Sequence, residues 1–146
     1  MTSTANRMPP EDMGPNNVPP RHTIPHYHGD EVKVLFLVAA LITIFAQSTG
    51  ADLPLSTGAT VLAAAGLVIA AGITNPNQIW IHWVNAFFAF GGTILFGRHA
   101  VTHFREGTGI IDPSFIYVEA LALISLIALY FTTRTIRGIL LRPYLR

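Results

Sequence analysis

The sequence predicts an all-α integral membrane protein: a four-transmembrane-helix bundle made of two helical hairpins, behind a disordered or extended Pro-rich N-terminal arm. Three observations carry that expectation. Of the 146 residues, 51% are hydrophobic and only 12% are charged, a balance that suits a membrane chain better than a soluble globule. The apolar residues fall into four blocks of helical length joined by short links rich in Gly, Pro or polar residues. Within the third block, His82, Asn85, Ala89, Gly92, Phe96, His99 and His103 recur at steps of three and four, which keeps them on one helical face. The other faces carry large apolar side chains such as Ile81, Val84, Phe87, Phe90 and Ile94. A stripe of small and polar residues in such a helix faces protein and leaves the rest to lipid.

Residues 1–30 form the arm. It holds six of the ten prolines and no apolar run resembling a signal peptide. The bundle spans 31–134, with helices expected at 32–49, 57–74, 76–104 and 113–133. Each of the first two is about 27 Å long as helix, slightly short of a ~30 Å hydrocarbon core. Gly50-Ala51-Asp52-Leu53-Pro54 turns the chain between them. The third opens at Asn75-Pro76 and the fourth at Asp112-Pro113, in each case a capping residue followed by proline at the first helical position. Glu106-Gly107-Thr108-Gly109 ends the third. Residues 135–146 make a basic interfacial tail, in which Arg134, Arg137, Arg142 and Arg146 would meet anionic lipid headgroups, and Gly138 and Pro143 limit helix.

Four spans place both chain ends and the Asn75–Gln78 turn on one side. That side holds Arg7, Arg21, Lys33, Arg134, Arg137, Arg142 and Arg146; the other holds Arg98 and Arg105 beside Asp52, Glu106 and Asp112. The asymmetry predicts a plasma (inner) membrane protein with both termini cytoplasmic. Trp80, Trp83 and Tyr27 on that side and Tyr117 on the other suit aromatic belts.

The second block carries a small-residue stripe, Ala59, Ala63, Gly66 and Ala70, which pairs with Ala89 and Gly92 of the third as packing or interface positions. The chain has no cysteine, which excludes disulfides, thiolate-held metals, iron–sulfur clusters and c-type haem attachment. No catalytic triad, phosphate loop or nucleotide fingerprint occurs, and no nucleic-acid motif stands behind the basic tail.

If the third and fourth helices pack as a hairpin, residues at equal depth have numbers summing to about 218. That sets His99 level with Glu119, the one acidic residue inside a span and roughly 9 Å along its helix. An unpaired carboxylate there costs several kcal/mol, so a partner is expected. His99, His103 and Glu119 then admit three readings. They form a structural clasp that fixes register, with buried His82 and Asn85 doing the same at the other end; a divalent transition-metal site; or a proton or ion relay. His26-Tyr27-His28 with His22 reads as a solvated segment ahead of the first span.

The run Ile81-His82-Trp83-Val84-Asn85-Ala86 is similar to the His-Trp segment that opens a helix in membrane b-type cytochromes. The similarity implies an axial histidine at His82. Such proteins draw two axial histidines from two helices at matching depth, whereas here His82 and His99 lie ~25 Å apart on one helix. The composition and packing stripes point first to a non-enzymatic membrane protein without a cofactor, acting as a homo-oligomer or an accessory subunit of a larger membrane complex. The alternative is a metal-binding or proton-conducting protein centred on His99, His103 and Glu119.

Overall fold

The computed structural model describes residues 28–74, 78–107, 109 and 111–141. It is all-helical, with no strand among the described residues: α1 is Gly29–Ser48, α2 Thr57–Ile73, α3 Ile79–Arg105 and α4 Pro113–Leu141. By length and composition, α3 and α4 can each cross a membrane, and α2 is a shorter apolar helix. The helices form a bundle. The α3–α4 hairpin packs along its whole length, α1 lies between α2 and α4, and α2 meets α3 only sparingly.

Local chemistry sets the helix ends. Asp30 and Glu31 occupy the first turn of α1, where carboxylates favour the positive end of the helix dipole. At its other end the chain closes in a Schellman motif. Ala51 N–H donates to the Ala46 carbonyl (3.0 Å), Gly50 N–H donates to the Gln47 carbonyl (3.2 Å), and Gly50 holds φ at +72°. That left-handed conformation is why glycine stands there. Ser56 caps α2, its hydroxyl accepting from Ala59 N–H at 3.4 Å. Asp112 caps α4 by accepting from Ser114 N–H at 2.8 Å, with Pro113 at the first helical position.

Several bounds differ from expectation. α1 starts at Gly29 rather than residue 32, because His28 is docked on α4 and holds the entry: its N–H donates to Thr135 Oγ1 at 3.2 Å. α3 is described from Ile79, and its expected Asn75-Pro76 cap lies outside the described residues. α4 runs through Gly138 to Leu141 instead of ending near 133. Thr135 and Gly138 are buried there, and packing of that face outweighs the ~1 kcal/mol helix penalty of a single glycine. Arg134 and Arg137 therefore stand exposed on helix α4, not in a separate tail. Arg134 lies over the Tyr130 ring, 5.8 Å from its centroid. Arg142 and Arg146 lie outside the described residues, as does the arm up to residue 27.

The interior mixes many alanines and polar residues with a few large side chains such as Phe36, Ile81 and Leu121, and the exterior is mostly large and apolar. Leu41, Leu62 and Phe87 are 71%, 75% and 75% exposed, whereas Ala39, Ala46, Ala64, Ala70, Ala89 and Ala128 are buried with His82, Asn85, Thr43, Thr60 and Thr132. Buried threonine hydroxyls are satisfied by their own helices: Thr43, Thr74 and Thr132 each donate to the carbonyl four residues back at 2.7 Å. Close approach replaces bulk as the source of packing. A Cβ on Gly92 would stand 2.5 Å from Ser125 Oγ, and one on Gly66 would stand 3.2 Å from the Phe88 ring. One core cluster, including Ala46, Leu53, Phe96, Ala100, Val118 and Leu121, fills the end of the bundle that carries the α1–α2 loop. A second, around Phe36, Ala71, Ala89 and Ala128, fills the other.

Candidate metal centre

The His82-to-His103 stripe is the inward face of α3. His82, Asn85, Ala89, Phe96 and His103 are buried, and Gly92 and His99 are partly so. At one end of the stripe the polar groups meet other helices. Asn85 Nδ2 donates to Thr74 Oγ1 at 3.0 Å, and Thr74 passes its own proton to the Ala70 carbonyl. This chain of bonds ties α3 to the last turn of α2. His82 is buried one turn earlier.

At the other end the stripe meets the α1–α2 loop. His99 and His103, one helical turn apart, bring their Nε2 atoms within 3.0 Å of each other. Asp52 completes the group: its Oδ2 lies 3.3 Å from His103 Nε2 and 3.7 Å from His99 Nε2. The Asp52 backbone carbonyl is also 3.3 Å from His99 Nε2. The three side chains can each offer one ligand atom to a common point. Their exposures grade from His103 at 10%, through His99 at 21%, to Asp52 at 71%. One side of the cluster is thus walled by helix and the other is open at the bundle end.

Asp52 is carried there by the loop. The Schellman turn at Gly50 reverses the chain, and Leu53 drops into the core beside Phe96 and Val118. The preceding residue is left at the rim, where Asp52 N–H donates to Ser114 Oγ at 3.1 Å. Ser114 sits in the first turn of α4, which Asp112 caps. Three elements therefore converge: α3 supplies both imidazoles, the loop supplies the carboxylate, and the start of α4 anchors the loop.

The expected third member, Glu119, is not in the group. Its depth is as foreseen, since the Gly92–Ser125 contact sets α3 against α4 within one residue of the anticipated register. Its direction differs. The inward positions of α4 are Val118, Leu121, Ser125, Ala128, Thr132 and Thr135, and Glu119 lies about 100° round from Val118. Its side chain instead lines an outer groove with Gly97, Ala100, Val101, Phe104, Phe115 and Ala122. Asp52 had a legible signal. Four helices running in alternating directions put the first loop at the same end as His99 and His103, and Asp52 is the one carboxylate in that loop.

Among the stripe residues of α2, Ala70 is buried and Ala59, Ala63 and Gly66 are partly so, with Gly66 against Phe88 of α3. The face α2 buries most deeply is Thr60, Ala64, Ala70 and Ala71, because α1 is its main neighbour. His28 is partly buried, its ring packed on Phe131 with centroids 5.0 Å apart. His22 and His26 lie outside the described residues.

No protein-family model matches the sequence, no curated protein matches it, and no solved structure matches its fold.

Proposed function

We propose that the chain is a four-span membrane protein that binds a divalent transition metal at the non-cytoplasmic end of its bundle, through Asp52, His99 and His103. The observation that carries this reading is the triangle of 3.0, 3.3 and 3.7 Å between the three ligand atoms. Ligands about 2.0–2.1 Å from a tetrahedral zinc stand roughly 3.3–3.4 Å from one another. The three edges bracket that value. The His99–His103 contact by itself is a hydrogen-bond distance; the Asp52 carboxylate within 3.7 Å of both nitrogens is what makes the group one that can hold an ion.

Two imidazoles and a carboxylate suit zinc and its neighbours better than calcium or magnesium, which take oxygen ligands. Three protein ligands leave a fourth position for water or an incoming ligand, and the exposed Asp52 side is where it would lie. Phe96, Ala100, Leu53 and Leu121 fill the bundle interior at this end, which favours a binding site at one face over a conducting path.

The inside-out distribution of side chains supports the membrane placement. Large apolar residues face outward on all four helices, and most alanines and the hydrogen-bonded threonines face inward beside a few large side chains such as Phe36 and Leu121. The basic excess near both chain ends supports cytoplasmic termini. The packing reading is served inside the chain by Gly66 and Gly92, which approach Phe88 and Ser125.

The test is metal uptake by purified, chelator-stripped protein in mild detergent. The proposal expects one zinc or cobalt ion per chain, and its loss in the His99→Ala, His103→Ala double variant. Stoichiometric metal that survives that variant, or no uptake, contradicts it.

A further inference from the structure

We propose that the groove holding Glu119 is the contact face for a second copy of this chain, whose Arg98 pairs with Glu119 across the interface. Gly92 stands opposite Ser125. Six residues further along α3 is Arg98, and six residues back along α4 is Glu119, so the two charges share one depth in the hairpin. They do not meet within the chain. Arg98 is exposed on the outer side of α3, while Glu119 lines the groove between α3 and α4. Among the described residues, neither charged group takes part in an ion pair or side-chain hydrogen bond.

Equal depth is what a membrane assembly requires. Copies related by rotation about the membrane normal keep every residue at its own level, so a head-to-tail contact joins residues of matching depth on different faces. A carboxylate on one outer face and a guanidinium on another, level with each other, satisfy that condition. Each is costly to leave unpaired against lipid. The rest of the groove suits a close helix: Gly97, Ala100 and Ala122 are small, and Phe104 and Phe115 border them. The Arg98 face would bring Ile94, 45% exposed, to the level of Ala122.

This inference rests on the membrane placement proposed above. The absence of cysteine from the chain gives a clean test. Two differently tagged copies, one Ile94→Cys and the other Ala122→Cys, are co-expressed and oxidised in isolated membranes. The expected result is a disulfide joining the two tags. Glu119→Gln or Arg98→Gln in both copies should lower the linked fraction about tenfold, and the swap Arg98→Glu with Glu119→Arg should restore it. Links between identical positions alone, which mark a twofold contact, overturn the proposal. So does membrane-bound protein with no link, the outcome if lipid alone covers the groove. Recovery of the chain in the soluble fraction instead overturns the membrane placement itself.

Discussion

His99 and His103 stand one turn apart on α3 with their Nε2 atoms 3.0 Å from each other. Both face a carboxylate delivered from a different part of the chain. The pair follows from helical spacing alone. The third group depends on a loop held by Gly50, by Leu53 and by the Ser114 hydroxyl.

That dependence makes Leu53 a positioning residue. Leu53→Ala removes the side chain that seats the loop among Phe96, Val118 and Leu121. It should destabilise the fold by about 2–5 kcal/mol and also weaken zinc binding, because the loop carrying Asp52 loses its seat in the core. Ser114→Ala removes the hydroxyl that accepts from Asp52 N–H. It should leave the melting temperature nearly unchanged while weakening metal about tenfold. Thermal unfolding in detergent and zinc titration separate the two effects.

Gly92 and Ser125 mark a close approach of α3 and α4. Gly92→Ala places a methyl group 2.5 Å from Ser125 Oγ and 3.1 Å from its Cβ, and should cost about 1–3 kcal/mol. Ser125→Gly in the same chain removes both atoms and should recover most of that loss. A double-mutant cycle on unfolding midpoints checks the coupling.

Asn85 ties α3 to α2 through Thr74. Asn85→Leu should cost about 0.6–2 kcal/mol and loosen the sparse α2–α3 contact more than the α3–α4 hairpin. Hydrogen exchange should therefore rise at the end of α2, around Ala70 to Ile73, and stay low along α4.

The proposed orientation predicts sidedness. In a chain without native cysteine, Ser56→Cys should react with a membrane-impermeant maleimide in intact cells. Arg137→Cys should react only after the membrane is opened. The reverse pattern would place the metal centre in the cytoplasm.

The parts of this molecule legible from sequence were those governed by local rules. Apolar blocks and Gly/Pro punctuation located four helices, and the stripe from His82 to His103 identified the inward face of α3. The depth of Glu119 followed from the rise per residue, and the structure agrees within one residue. Its direction did not follow. Depth needs only a count, whereas direction needs to know which face of α4 the other helices claim, and Val118 takes the inward place beside it. Alternating helices put the Asp52 loop at the His99–His103 end, but the contact itself depends on a tertiary anchor, here Leu53, that no periodicity reveals. The extension of α4 through Gly138 was hidden for the same reason. Intrinsic propensity argued for a break, and burial of Thr135 and Gly138 decided otherwise.

The most direct test of the metal centre is zinc titration of chelator-stripped protein carrying Asp52→Asn beside one carrying Glu119→Gln. Both variants neutralise a carboxylate at this end of the bundle, but only one belongs to the triangle. The account predicts one zinc per chain in the wild type and in Glu119→Gln, with affinity falling at least about tenfold in Asp52→Asn. Undiminished binding in Asp52→Asn, or loss of binding in Glu119→Gln alone, would contradict it.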